Sequence, residues 1–516
     1  MTCDSKHINR RSFLLAAAAG MGTAAVSGNA VPFVKTRSKT KNSKKLFATT
    51  DFADNIIVNS QFMNKAQLNE LNKHLASLGV TRHQWTFDTI WTLYDDYPHG
   101  FDLLAEATSS AHRHGLEFYA LIKPFEAGAF RRNLLPHTFP FPENACAFKD
   151  MRGIYPVARP FAAANSHMNL KRKPGSYEYE GPVKGIRLVK ENDKPTRIKY
   201  EHLSLWTSSL NNNFIPYTGR VVFRETLEWR FVFPKWQPCR ILHLEELEIP
   251  KDHAYIIIKC QLADGRGDFS NESGRIIELT GPEGQDIPYY PGSGPVSPDS
   301  FKRLFTSPLM TKLIRYLQLP EVQKQINDPV NLQKHFSEFY QFEKMRPTDS
   351  ITLDRNGYLA LVCGKPEYVM GSMHPIYPEV REHWLELVRF CLDRGVDGIN
   401  LRAANHTRPR EHQYYGFNEP VLEASGGRTD FPTIARINGN AYTEFLREAR
   451  DLIKSKGKSI TIHLHATMLS PDDRRWRSSH QLPGNFEWQW RTWVREIADD
   501  LEFRGGNMLR QWNLEQ

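Results

Sequence analysis

The chain is poor in cysteine for its length. Six of its 516 residues are cysteines, and no two of them form a Cys-x-x-Cys pair. Zinc knuckles and thioredoxin-like redox sites are therefore excluded, because both need closely spaced thiols. Cys3 lies at the N-terminus, and the other five are an odd, widely spaced set that is not typical of a disulfide framework. Cys239 and Cys260 could pair across neighbouring strands; buried free thiols are the alternative that we favour.

The main body of the chain also lacks a strong net charge. The formal charge is +9, but residues 1–45 hold nine basic residues and one acid, so the rest is nearly neutral. Binding of nucleic acid needs clustered Lys and Arg on a folded domain, and we therefore expect no nucleic-acid partner. The sequence also has no run of about 18 or more apolar residues, so we expect no stable membrane insertion.

The first thirty residues have the arrangement of an export signal. Arg10-Arg11-Ser12-Phe13-Leu14 precedes a short alanine-rich apolar stretch, which ends in small residues up to Ala30. The paired arginines resemble the twin-arginine signal. That resemblance implies the twin-arginine translocase as a partner during export and a periplasmic or extracellular location afterwards. We expect residues 1–30 to be removed and the basic residues 31–45 to form a solvated linker.

Two stretches of the chain, residues 46–126 and 351–516, alternate between strand-like and helix-like patterns. Residues 65–78 repeat leucine with a helical period, and residues 116–122 form an apolar, strand-like run. The second stretch starts with a strand-like run at residues 358–362 and continues in the same alternation. Repeated βα units predict a parallel sheet.

The stretch between them, residues 127–350, has a different pattern. Residues from about 157 to 295 contain short strand-like runs separated by polar turns, which are typical of an antiparallel β-sandwich of jelly-roll type. Residues from about 301 to 345 have a helical pattern. We therefore predict that the sandwich and the helical segment are an insertion in one βα loop.

A resemblance to a known family rests on particular residues. Tyr377-Pro378-Glu379-Val380-Arg381 and residues 395–402 resemble the PEVR and DGI segments of glycoside-hydrolase-type TIM barrels, and residues 114–120 are similar to their second helix and third strand. The resemblance implies the α/β class, a (β/α)8 TIM barrel and activity on carbohydrate. We count about six barrel strands, so we expect a barrel that is incomplete at its C-terminus or completed by the insertion. Arg402 stands where many such barrels have a carboxylate.

Two carboxylates are candidates for catalysis. Hydrolysis of a glycosidic bond needs one carboxyl group to protonate the leaving oxygen and another to attack or to activate water. Glu126 follows the predicted third strand, and Glu487 stands among aromatic residues. Asn418-Glu419-Pro420 copies the acid/base signature of one glycosidase clan and is a rival, although a loop precedes it here. Salt-bridged loop carboxylates are the alternative interpretation of both candidates.

Polar and aromatic residues near predicted strand ends are the candidate substrate ligands. They are Arg82, Trp85, Asp88, Lys123, Arg402, His406, His463, His465 and Trp488. Arg82 and Trp85 lie on opposite faces of a regular strand, so both can line a pocket only if the strand has ended. The His463-x-His465 pair could ligate zinc together with His406. We instead expect hydrogen bonds to sugar hydroxyls, with no metal and no cofactor.

These observations predict an exported, carbohydrate-active protein that hydrolyses glycosidic bonds with a carboxylate pair in a barrel cleft. One alternative is a non-catalytic carbohydrate-binding protein on a degenerate barrel, which Arg402 and the missing closing strands favour. Another is a metal-dependent hydrolase.

The export signal can be tested directly. The double substitution of Arg10→Lys and Arg11→Lys should leave the precursor in the cytoplasm, because the translocase recognises the paired guanidinium groups. Fractionation and N-terminal sequencing would measure this, with Lys6→Arg as the charge-matched control. Normal export of the double variant would contradict the twin-arginine assignment.

Overall fold

The computed structural model describes much of the chain after residue 44. The described residues are 45–51, 63–87, 100–126, 128–129, 151–152, 157–158, 160–177, 181–210, 214–232, 235–264, 267–268, 277–287, 289–291, 320, 357–363, 365, 367–404, 411–469 and 482–504. The predicted signal, the linker up to residue 44 and the predicted helical segment at 301–345, apart from residue 320, lie outside them. Those predictions stay predictions.

Strands make up a large part of the described residues. In chain order they are β1 Leu46–Asp51, β2 Val80–Thr86, β3 Glu117–Ile122, β4 Gly128–Ala129, β5 Met151–Arg152, β6 Val157–Ala158, β7 Asn169–Lys171, β8 Gly185–Lys190, β9 Leu203–Ser208, β10 Ile215–Pro216, β11 Val222–Val232, β12 Lys235–Glu245, β13 Tyr255–Cys260, β14 Ile277–Thr280, β15 Tyr289–Pro291, β16 Gly357–Cys363, β17 Tyr368–Met373, β18 Gly398–Arg402, β19 Ser459–His465 and β20 Asp500–Arg504.

The helices of the described residues lie between these strands. They are α1 Lys65–Ser77, α2 Leu103–Arg113, α3 Pro160–Ala164, α4 Pro378–Leu392, α5 Glu419–Ala424, α6 Phe431–Ser455, α7 Ala466–Leu469 and α8 Trp490–Glu496, with 3-10 turns at Ser166–Met168, Tyr200–His202 and His412–Tyr414. Within this part of the chain, no helix is both long and apolar enough to cross a membrane.

Helix starts follow the local sequence. α1 begins after Asn64, whose side chain accepts a hydrogen bond from the backbone of Gln67, while the Gln67 side chain accepts one from the backbone of Asn64. α2 begins after Asp102, which accepts from the backbone of Ala105. α4 begins at Pro378, where no backbone donor is needed.

A six-stranded parallel sheet runs in the order β1-β2-β3-β18-β19-β20. It is strongly curled, because Arg82 Nη1 of β2 lies 2.9 Å from Asp500 Oδ2 of β20 across three intervening strands. The expected (β/α)8 TIM barrel is nevertheless wrong. Within the described residues the sheet ends at β1 and β20, so it forms a half-barrel, whereas a closed barrel of this kind has eight parallel strands.

The strand at residues 358–362 accounts for part of this error. We expected it to start the second half of the barrel, but it is the middle of β16, which pairs antiparallel with β13 and β15. An apolar run is equally compatible with a parallel strand and with a sandwich core strand, so its composition could not decide between them. The parallel sheet resumes at β18, which pairs directly with β3.

The antiparallel strands between β3 and β18 form two main sheets. One has the order β10-β9-β13-β16-β15, with β5 beside β16, and the other has the order β11-β12-β8-β14. Ile186 and Leu242 of the second sheet share a buried cluster with Ile256 and Ile258 of the first. The two sheets therefore pack face to face as a sandwich.

The four cysteines of the described residues are not in disulfides. Cys239, Cys260, Cys363 and Cys391 are buried thiols, which excludes the Cys239–Cys260 disulfide that the sequence left open. Burial raises the pKa of the Cys260 thiol to about 12, with a smaller effect from Asp268.

The two faces of the half-barrel differ in polarity because strand residues alternate. On β19, Ile460, Ile462 and Leu464 belong to the core that also contains helix residues such as Trp384 and Phe445. The intervening residues Thr461, His463 and His465 lie on the concave face, which is polar.

A network of buried side-chain hydrogen bonds links the convex face of the sheet to helices α1 and α2. His83 Nδ1 lies 2.7 Å from Asn72 Oδ1, and His83 Nε2 lies 2.8 Å from the Thr50 hydroxyl. Asn72 also donates to Ser110 Oγ at 2.9 Å. Burial lowers the pKa of His83 to about 4, so the ring is neutral at pH 7, and it donates from Nδ1 because the Asn72 oxygen can only accept.

Substitution of Asn72 tests how much these buried hydrogen bonds contribute to stability. Asn72→Ala should lower the free energy of unfolding by about 1 to 3 kcal/mol, because it leaves the buried His83 and Ser110 without their partner. Urea unfolding would measure the loss. The exposed α1 variant Glu70→Ala should change it by less than about 0.5 kcal/mol. Equal unfolding free energies for the two variants would contradict the prediction.

Candidate functional site

Strand register aligns four ionisable side chains at the carboxyl end of the sheet. Arg402 of β18 pairs with His463 of β19, and His463 pairs with Glu502 of β20. Lys123 directly follows Ile122, whose partner is Leu401, so Lys123 is level with Arg402. Ligands of open α/β sheets bind beyond the carboxyl ends of the strands, which makes this row the candidate site.

Three further side chains complete the group. His465 and Arg504 are register partners one step further along β19 and β20, and Glu126 lies one turn beyond β3. We name the strand-end cluster for these seven residues: Lys123, Glu126, Arg402, His463, His465, Glu502 and Arg504. Burial differs across it, since Lys123 and Glu126 are fully buried and Arg504 is exposed. The cluster is therefore most open on the β20 side.

Its two carboxylates have different surroundings. Glu126 Oε2 lies 3.4 Å from Lys123 Nζ. Glu502 Oε2 accepts hydrogen bonds from Gln84 Nε2 and from Asn400 Nδ2, each at 2.8 Å, and its Oε1 lies 3.5 Å from His463 Nδ1. Glu502 is thus held by two amides on one side and faces an imidazole on the other.

His463 is surrounded by positive charge. Burial has the largest effect on its pKa, and together with Arg402, Arg504, His465 and Lys123, which disfavour the imidazolium, it lowers that pKa to about 2. The ring is therefore neutral at pH 7. Three basic side chains, those of Lys123, Arg402 and Arg504, accompany the two acidic ones of Glu126 and Glu502, so basic groups outnumber acidic groups in the cluster.

The structure brings together only part of the predicted ligand set. Lys123, Arg402, His463 and His465 lie in the cluster, while Asp88 and His406 lie outside the described residues. Arg82 is at the opposite, amino end of the sheet, where it pairs with Glu117 and Asp500 at 2.9 Å each.

The two predicted tryptophan ligands are buried. β2 continues to Thr86, so Trp85 points away from Arg82 into the helix-side core and is fully buried. Trp488 is 6% exposed and stacks on Phe486 with ring centroids 5.5 Å apart. Neither indole offers an open face for a sugar ring, so both expectations are corrected.

Glu487 is not part of the cluster. Its side chain is 52% exposed, and its carboxylate lies 3.9 Å from Arg436 of α6. Its flanking residues Phe486 and Trp488 are buried, and alternation along this extended segment turns Glu487 outward. Catalysis by Glu126 and Glu487 together stays a prediction.

The rival Asn418-Glu419-Pro420 motif has a structural explanation. Asn418 is fully buried, accepts from the backbone of Lys171 at 3.0 Å and donates to the carbonyl of Asn169 at 2.7 Å. Glu419 opens α5 and forms an ion pair with Lys171. The motif therefore anchors β7 to the start of α5.

Sequence analysis missed Glu502 and Arg504, and it also missed the supporting amides Gln84 and Asn400. The alternation of Asp500, Glu502 and Arg504 was the available signal, since a period of two indicates a strand with one polar face. Within the described residues, no group of three or more His, Cys, Asp or Glu side chains is placed to hold a metal ion.

Fold and site together define a mixed α/β protein with a half-barrel parallel sheet, a β-sandwich between two of its strands and a cationic cluster at the strand ends. No protein-family model, no curated protein and no solved structure matches the chain.

The charge around His463 can be tested by titration. Arg402→Gln should raise the pKa of His463, because it removes a cation that disfavours the imidazolium. Nitrogen NMR of ring-labelled histidine would follow the change. Arg436→Gln, at the exposed pair with Glu487, is the control and should leave the pKa unchanged. An unchanged pKa in Arg402→Gln would mean that the guanidinium does not face this ring.

Proposed function

We propose that this protein is exported, binds an acidic carbohydrate at the strand-end cluster and cleaves its glycosidic bonds. The observation that carries the proposal is the convergence of Lys123, Arg402 and Arg504 on the buried His463. A sugar carboxylate would offset the excess positive charge of the cluster. Arg402 could bind that carboxylate bidentately, a geometry for which the guanidinium group is suited.

Neutral polar groups support a sugar rather than a simple anion. Gln84 and Asn400 lie beneath the cluster, and the neutral imidazole of His463 lies within it, next to His465. Amides and imidazoles can each donate and accept, which suits hydroxyl groups. The predicted export signal and the resemblance to glycoside hydrolases point to the same class of substrate.

Two carboxylates are available for bond cleavage. Hydrolysis needs carboxyl groups about 5 to 9.5 Å apart across the sugar. With Glu487 turned outward, Glu126 and Glu502 are the carboxylates of the cluster. Binding without cleavage is the second candidate function, because Arg402 occupies a strand end where a hydrolase of this type would place a carboxylate.

Substitution of Arg402 tests whether the site prefers acidic sugars to neutral ones. Arg402→Gln should weaken binding of polygalacturonate about ten- to a hundredfold, because a charge-assisted hydrogen bond contributes about 1.5 to 3 kcal/mol. Calorimetry on the full mature chain would measure the change, with Arg436→Gln as the exposed arginine control. Equal affinity of the wild type for polygalacturonate and for a neutral 4-linked glucan would contradict the acidic-sugar proposal.

A further inference from the structure

We propose that cleavage at the strand-end cluster is a β-elimination on a 4-linked uronic-acid polymer, with His463 as the base that removes the C5 proton. This inference rests on the proposed binding of an acidic carbohydrate, and it names the reaction that follows. The elimination and the binding are separable by experiment.

The two ring nitrogens of His463 have different neighbours. Both are buried without a hydrogen-bond partner among the described residues, but Nδ1 lies 3.5 Å from Glu502 Oε1, which leaves Nε2 for a ligand. A buried ring nitrogen without a hydrogen-bond partner lowers the stability of the folded state, so its presence calls for an explanation. A ligand in the cluster would supply the missing partner.

Glu502 orients this imidazole. Gln84 and Asn400 hold its Oε2, so Oε1 is left to face Nδ1. A carboxylate at Nδ1 fixes the ring and stabilises the imidazolium that forms when Nε2 takes a proton, as in His-carboxylate pairs of other enzymes. Glu502, Gln84 and Asn400 are thus positioning residues in this scheme.

The cations make the C5 proton removable. A proton next to a carboxylate is weakly acidic, because its loss places a second negative charge on the same group. Arg402 lies beside His463 in the register, and Lys123 is level with Arg402. Cations fixed at a carboxylate stabilise the charge that develops as the proton leaves.

The reaction balances without a co-reactant. The C5–H bond breaks, and its proton goes to Nε2 of His463. The electron pair forms the C4=C5 double bond while the C4–O bond breaks, with its electrons on the leaving oxygen. The imidazolium then returns the proton to that oxygen, so His463 ends neutral and neither water nor an oxidant is consumed.

Substrate binding would also strengthen the base. Burial and then the neighbouring cations keep the free imidazole neutral. A bound carboxylate would offset those cations, and Glu502 would stabilise the imidazolium. The base would therefore become stronger when a uronate is present, which limits the reaction to acidic sugars.

The test uses the full mature chain with polygalacturonate and polymannuronate as probes and a neutral 4-linked glucan as the negative control. Elimination should produce the ultraviolet absorbance of a double bond conjugated to a carboxylate, and product masses lower by one water than those of hydrolysis. His463→Gln should lose at least a hundredfold in turnover while it keeps polymer affinity. Asn400→Ala should lower kcat far more than it changes KM, because Asn400 acts by holding Glu502, directly and through Gln84.

Each outcome decides between the two proposals. Binding with new reducing ends but without the absorbance would overturn elimination and keep the proposed function. Binding without any cleavage would overturn elimination and leave carbohydrate binding alone. No binding of either polyuronate would overturn the proposed function itself. If His463→Gln fails to fold by circular dichroism, Glu502→Gln gives the same test, and full turnover in the folded variant would overturn the role of the pair.

Discussion

The curl of the parallel sheet depends on ion pairs across its concave face. The Arg82 side chain is only 5% exposed. Its guanidinium group forms ion pairs with Glu117 of the neighbouring strand and with Asp500, which lies three strands further on. The rings of Phe47 and Tyr119 lie 4.2 and 3.8 Å from it. A buried guanidinium is tolerated only when its partners are in place, so a flatter sheet would leave this charge unpaired.

That constraint reaches the candidate site. Because Asp500 is drawn over β2, Glu502 two residues later comes within hydrogen-bond distance of Gln84. The same carboxylate then faces His463 at the strand ends. One side of the sheet is in this way polar from its amino end to its carboxyl end, whereas the helix side is a conventional apolar core.

Local patterns were sufficient for part of this architecture. β3 and β18 each follow a helix that ends at a glycine with positive φ, Gly115 and Gly395, and both strands are apolar, so the sequence pointed to strands at these places. β20 was not predicted as a strand of the parallel sheet, because its alternating charged residues are equally typical of a solvent-exposed surface. Residues 358–362 were assigned to the wrong sheet because an apolar run does not reveal which sheet it joins.

The candidate site was predictable only where a residue ends a strand. Lys123, Arg402 and His465 follow that rule and come together. Trp85 and Glu487 depend on which way a side chain turns, and that is decided by where β2 stops and by the packing of Phe486 and Trp488. Partners from distant strands, such as Gln84 for Glu502, have no local signal at all.

The buried thiols have a practical consequence. Cys239 and Cys260 belong to the two sheets of the sandwich, whereas Cys391 lies in a helix that packs on the parallel sheet. A thiol reagent can reach such groups only when the surrounding structure opens. These native cysteines can therefore report on unfolding without added labels. The order in which they become alkylated as denaturant is increased gives the order in which the sandwich and the helix layer unfold.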